Sequence, residues 1–104
     1  MSSVNLIDRA TTTTTLDLSQ AKTFLNNSGV ITISAHGTGT SFSATVAVYP
    51  VYGTSDVYVD TPQVLTVTNA APTATYTATS PHARFVAVVT AFTGSGSVSA
   101  SVEG

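Results

Sequence analysis

Cysteine is absent from this chain, so neither disulfides nor thiolate-bound metals can supplement its core. Tryptophan is absent too, which removes the side chain that most often forms a sugar-stacking platform. Charge is scarce: the full set is Asp8, Arg9, Asp17, Lys22, Asp56, Asp60, Arg84 and Glu103, 8% of the chain. An ordinary soluble domain carries about 25%. Three basic residues in a chain of net charge −2 exclude a nucleic-acid partner, which needs clustered Lys and Arg. The longest uninterrupted apolar run near the C-terminus, Phe85 to Val89, is far short of a membrane span, so no membrane partner is expected. The opening MSSVNLIDRA has no basic stretch leading into an apolar one, which predicts a protein made in the cytoplasm rather than secreted. No window keeps a helical period beyond two turns; LSQAKTFL, residues 18–25, reads as a single turn or an irregular strand.

What remains is Thr, Val, Ser and Ala, a β-forming composition. A chain of 104 residues makes one domain, and a domain of this size buries roughly 60–70% of its unfolded surface. With so thin a margin and no staple, stability has to come from close packing or from association with other chains. So few charges fit either a surface coated in hydroxyl groups or one covered by partners, where charge would be costly to desolvate.

Alternation predicts strands at 11–18, 22–26, 29–36, 41–49, 56–60, 63–68, 73–79, 83–93 and 96–103. Inward sets are clear in several of them. Ile31, Ile33 and Ala35 oppose Thr32, Ser34 and His36; Phe42, Ala44, Val46 and Val48 oppose Ser43, Thr45, Ala47 and Tyr49. Val57 and Val59 oppose Tyr58 and Asp60, and Val98, Ala100 and Val102 oppose three serines. Asn26-Asn27-Ser28-Gly29, Gly37-Thr38-Gly39, Gly53-Thr54-Ser55, Ala71-Pro72 and Thr93-Gly94-Ser95-Gly96 read as the turns between strands. Short strands with hairpin punctuation and one polar face predict an all-β fold, an antiparallel β-sandwich or jelly-roll-like domain of about eight strands. That domain spans 11–104, and residues 1–10, which lack the pattern, read as an extended N-terminal arm.

Residues that carry chemistry are dispersed. No G-x-S-x-G elbow or triad spacing occurs. His36 and His82 lie far apart without a Cys or Glu beside them, so each reads as an ordinary surface or turn histidine. Asp56 and Asp60 share a face, but DVYVD lacks the Asp/Asn/Gly run of a calcium loop. Gly37-Thr38-Gly39-Thr40-Ser41 is followed by neither Lys nor a helix and is not a phosphate cradle. Asn26-Asn27-Ser28 matches a glycosylation sequon, to which the expectation of a cytoplasmic chain gives no meaning. The expectation is therefore no enzyme, no catalytic residue, no metal and no cofactor. Function by contact leaves three groups of candidate interface residues. Tyr49, Tyr52 and Tyr58 cluster in YPVYGTSDVY, as an interface or as a glycan platform. The threonine run, with Thr11, Thr13 and Thr15 on one side, is suited to β-pairing with a neighbour, the arm reaching out over 1–15. The third is a strand apolar on both faces: Phe85, Ala87, Val89 and Ala91 on one, and Val86, Val88 and Phe92, beside Arg84, on the other. The second face reads as a surface meant to be covered at a subunit contact.

The order of segments resembles small β-sandwich modules of tailed-phage virion proteins. The resemblance rests on Leu16-Asp17-Leu18-Ser19, on the Gly-bounded strand and central hairpin that follow, on Ala83-Arg84-Phe85-Val86, and on the Gly-rich turn into a Ser/Val strand at Thr93-Gly94-Ser95-Gly96-Ser97-Val98. Many such modules carry an Asp-Gly-x-x-Trp turn where this chain has Val51-Tyr52-Gly53-Thr54-Ser55-Asp56, and the missing Trp weakens the carry-over of glycan binding. The resemblance is greatest to capsid decoration (cement) proteins. It implies a virion structural protein made in the host cytoplasm that docks on the head surface. There it would bind the major capsid protein, as a homo-oligomer with a trimer favoured, and stabilise contacts between capsomers. The alternatives are a glycan-binding adhesion module of a fibre and a collar or tail component.

Overall fold

A computed structural model describes residues 3–17, 20–23, 30–52, 58–59, 61–79 and 84–103. They form seven strands in one antiparallel hydrogen-bonded sheet, with no α-helix among them. In chain order these are β1 (Ser3–Ala10), β2 (Lys22–Thr23), β3 (Val30–Tyr52), β4 (Tyr58–Val59), β5 (Gln63–Thr68), β6 (Thr73–Thr79) and β7 (Arg84–Glu103). The all-β, antiparallel class is the one alternation predicts.

Two strands are far longer than alternation suggests. β3 has 23 residues and β7 has 20, and they pair with each other along nearly their whole length. The segments read as 29–36 and 41–49, and as 83–93 and 96–103, are halves of these two strands. Gly37-Thr38-Gly39 and Thr93-Gly94-Ser95-Gly96 are therefore not hairpin turns. They face each other at a corner where both strands change direction without reversing. One extra residue on β3 between Thr38 and Ser41 shifts the register there. Gly94 and Gly96 have φ of 86° and 137°, a backbone that a side chain disfavours. A Cβ on Gly94 would run into the Ser41 carbonyl oxygen, and one on Gly96 into that of Thr38. The Phe42 ring lies so close over Gly37 that a Cβ there would sit 2.5 Å from the Phe42 Cζ.

The neighbouring chain follows the same bend on either side. β6 pairs with the first half of β3 and β5 with the second, and the residues between them turn the corner opposite Gly37. There the Gly37 amide donates to the Pro72 carbonyl (2.8 Å), and Thr68 and Ala71 exchange backbone hydrogen bonds of 3.0 and 3.1 Å. On the far edge β1 pairs with the second half of β7 and β2 with its start. Between them Thr14 holds Val89 by both its amide (3.0 Å) and its hydroxyl oxygen (2.9 Å).

The bend has an energetic reason. Ile31, Ile33, Ala35, Phe42, Ala44, Val46, Val48, Leu65, Val67, Phe85, Val89, Val98, Ala100 and Val102 form one buried cluster drawn from both halves of the sheet. Among the described residues no helix or second sheet lies over that face, so the sheet covers itself. Each Val or Ile so buried contributes about 1.5–3 kcal/mol relative to exposure, which a flat sheet would forgo.

Two expectations change near the N-terminus. The stretch read as an arm, Ser3–Ala10, is strand β1, with Val4, Leu6, Ile7 and Ala10 packed against the core. Its alternation is obscured because two register shifts interrupt its pairing with β7 and Arg9 takes a positive φ of 53°. The stretch read as a strand, 11–18, has no strand among its described residues 11–17. Of the predicted 56–60 strand, only Tyr58 and Val59 are described, and the Asn26-Asn27-Ser28-Gly29 and Gly53-Thr54-Ser55 turns lie outside the described residues.

Candidate interaction surfaces

Alternation fails in β7 at one residue. Thr45 pairs with Ala91 and Val46 with Val89, which leaves Thr90 as an extra residue whose hydroxyl donates to the Thr45 carbonyl (3.3 Å). An extra residue moves every later side chain to the other face. Phe85, Ala87 and Val89 face the core before this bulge, and Phe92, Val98, Ala100 and Val102 face it after. Phe92 is therefore half-buried against the main core and does not share a face with Val86 and Val88, as strict alternation would require. Val86 and Val88 do point to the outer side, yet they are only 4% and 6% exposed in the single chain. Their cross-strand partners there are Tyr49 and Ala47, and Ala47 and Val51 of the same face are also buried. The second apolar face is thus closed within one chain, forming a smaller buried group on the opposite side of the sheet.

The other candidates are scattered. Arg84 is half-buried and in register with Val51 and Thr23. Tyr49 is half-buried, and Tyr52 and Tyr58 pair in register at the β3–β4 end, their side chains lying outside the described residues. Thr11, Thr13 and Thr15 are exposed on an irregular segment. Asp56, Asp60 and His82 lie outside the described residues.

The outer face of the other half of the sheet carries a feature that single-strand reading misses. Registers place Ser34 and His36 of β3 between serines of β7 and threonines of β6, Thr32 between Glu103 and Thr77, and Thr38 opposite Ser97. Their polar atoms meet across the strands: Ser34 with Ser101 at 3.0 Å, Thr38 with Ser97 at 3.0 Å and Thr32 with Thr77 at 3.3 Å. His36 Nδ1 lies 3.0 Å from the Thr73 hydroxyl, and the Arg9 amide donates to Ser99 (2.9 Å). The result is a face of hydroxyl groups partnered sideways, its described side chains including one imidazole, His36, and one carboxyl group, Glu103, at one end. Only the cross-strand register brings these residues together; the one-dimensional signal is the run of Ser and Thr at alternate positions.

The apolar residues Leu6, Ile7, Ala10, Val86 and Ala87 line an open cleft of about 290 Å³, with Asp8 and Asp17 also in its lining. Asp8 lies 3.4 Å from the neighbouring Arg9, an exposed ion pair. No group of three or more His, Cys, Asp or Glu that would hold a metal ion occurs among the described residues, and no described helix is long and apolar enough to cross a membrane. No family model, no curated protein and no solved structure matches the chain.

Proposed function

We propose that this chain is a virion structural protein, a decoration protein that docks on the outer surface of a tailed-phage head and stabilises contacts between capsomers. In this reading the bent sheet is a small β-sandwich of jelly-roll type. Its support is a core drawn from both halves and a smallest extent of 19 Å, close to two sheets about 10 Å apart with their outer side chains. The observation that carries the functional reading is the hydroxyl-lined, nearly charge-free outer face. Ser and Thr groups already partnered sideways are inexpensive to desolvate, so such a face can lie against protein without stranding charges. The chain acts by burying surface, with no cofactor and no catalytic step, as a homo-oligomer bound to the major capsid protein. A glycan-binding module is the weaker reading, because the chain has no tryptophan and the two tyrosines whose side chains are described lie apart: Tyr49 is half-buried and in register with Val86, and Tyr76 lies on β6. Quantitative mass spectrometry and density of the intact particle test the proposal. The chain should occur in many copies on the head exterior; its absence from the head refutes the reading.

A further inference from the structure

The two long edges of the sheet are built differently. The β1 edge is interrupted by two register shifts, a residue of positive φ and an exposed Asp8–Arg9 pair. These are devices by which natural sheets prevent their edges from pairing with other chains. The opposite edge has none of them. β5 and β6 run in uninterrupted register with β3, pair with β3 alone among the described residues, and residues 63–79 include no charged residue. At its end lies the seven-residue strand Thr73–Thr79, TATYTAT. The sequence of that strand is a palindrome about Tyr76.

We infer that β6 is a self-pairing edge: a second copy of this chain adds to it antiparallel, about a two-fold axis through Tyr76. In that register Thr73 faces Thr79, Ala74 faces Ala78, Thr75 faces Thr77, and Tyr76 faces its own copy. Every opposed pair joins like with like, and Thr–Thr and aromatic pairs are favourable across strands. Tyr76 is 43% exposed in the single chain. Its cross-strand partner Ile33 is a core residue, so its ring stands at the open rim of the core, where a second ring extends the apolar contact. The pairing is isologous and closes after two copies. It also covers the β6 part of this edge, which carries no other pairing among the described residues.

The size of the contact sets its strength. Seven paired residues span about 23 Å and bury on the order of 800 Å² in total, below the roughly 1,200 Å² at which stable complexes begin. Association is therefore expected at tens of micromolar rather than nanomolar. This inference does not rest on the virion reading: loss of head binding with the dimer intact would count against that reading alone.

Sedimentation velocity of the full chain from about 5 to 500 µM tests the contact. Wild type should pass from monomer to dimer across that range. Tyr76→Lys places two ammonium groups opposite each other and should stay monomeric throughout, with unchanged far-UV circular dichroism and an unfolding midpoint within about 3 °C of wild type. Thr75→Lys/Thr77→Lys and Thr75→Glu/Thr77→Glu should each be monomeric alone and form a one-to-one heterodimer when mixed, which reports the register itself. Because the chain has no cysteine, Tyr76→Cys supplies a single thiol that should oxidise to a covalent dimer, whereas Val64→Cys on β5 should not. A wild-type chain monomeric at 500 µM, a closed trimer, or a dimer that Tyr76→Lys leaves intact overturns the inference.

Discussion

Truncating Val88 to alanine separates burial within the chain from burial by a partner. Val88 is 6% exposed and in register with Ala47, itself buried. The substitution removes two methyl groups, about 1.6 kcal/mol of transfer free energy at about 0.8 per group. A residual void of about 35 Å³ adds on the order of 0.8 kcal/mol if the surroundings do not collapse. The sum is about 2.5 kcal/mol, a large fraction of the roughly 5–15 kcal/mol that holds a small domain together. For a domain of this size that corresponds to a fall in Tm of about 10–20 °C. Val64→Ala is the internal control, since Val64 is 53% exposed on the same outer face and its loss should cost less than about 0.5 kcal/mol. Urea unfolding followed by circular dichroism, at protein concentrations differing a hundredfold, supplies both numbers. A cover made by the chain itself gives a Val88→Ala penalty independent of concentration. A penalty under about 0.5 kcal/mol, or one that appears only at high concentration, would refute the intrachain cover and return Val86 and Val88 to the subunit interface.

Other perturbations probe the corner, the hydroxyl face and the first strand. Gly94→Ala forces a Cβ into the Ser41 carbonyl at a φ of 86° and should cost about 3 kcal/mol or more, while Ser95→Ala beside it should be nearly neutral by thermal melt. Ser34→Ala and Ser101→Ala each leave one half-buried hydroxyl without its 3.0 Å partner; singles should cost about 0.5–1 kcal/mol, and the double variant less than their sum in a double-mutant cycle. Deleting residues 1–10 removes Val4, Leu6, Ile7 and Ala10 from the core. It should yield a chain that binds ANS and loses its cooperative melt, whereas a merely projecting arm would leave the melt unchanged.

The sheet's faces were legible wherever a strand is regular. Alternation by itself identifies Ile31, Ile33 and Ala35, then Phe42, Ala44, Val46 and Val48, then Val98, Ala100 and Val102 as inward, and all of these are buried. It does so because side chains in a strand alternate strictly and only one face meets the core. The all-β class follows from β-branched composition in the same local way, and the shortage of charge is a property of composition that needs no fold. Alternation has no means of placing the bulge at Thr90, because one extra residue is invisible until its partner strand is known; hence Phe92 changes sides. Nor can glycines by themselves distinguish a reversal from a bend. Gly37-Thr38-Gly39 and Thr93-Gly94-Ser95-Gly96 suit a hairpin equally well, and only their pairing with each other makes them a corner. The N-terminal strand was hidden for a related reason: its two register shifts break the period that defines a strand. Edge and centre are likewise tertiary facts. TATYTAT is plain in the sequence as a strand, but only the topology shows that β3 takes one side of it while the other carries no pairing among the described residues. Local chemistry thus decided which residues prefer strands and which faces they present. Long-range pairing decided where those strands bend, which face each later residue joins, and which edge is left unpaired among the described residues.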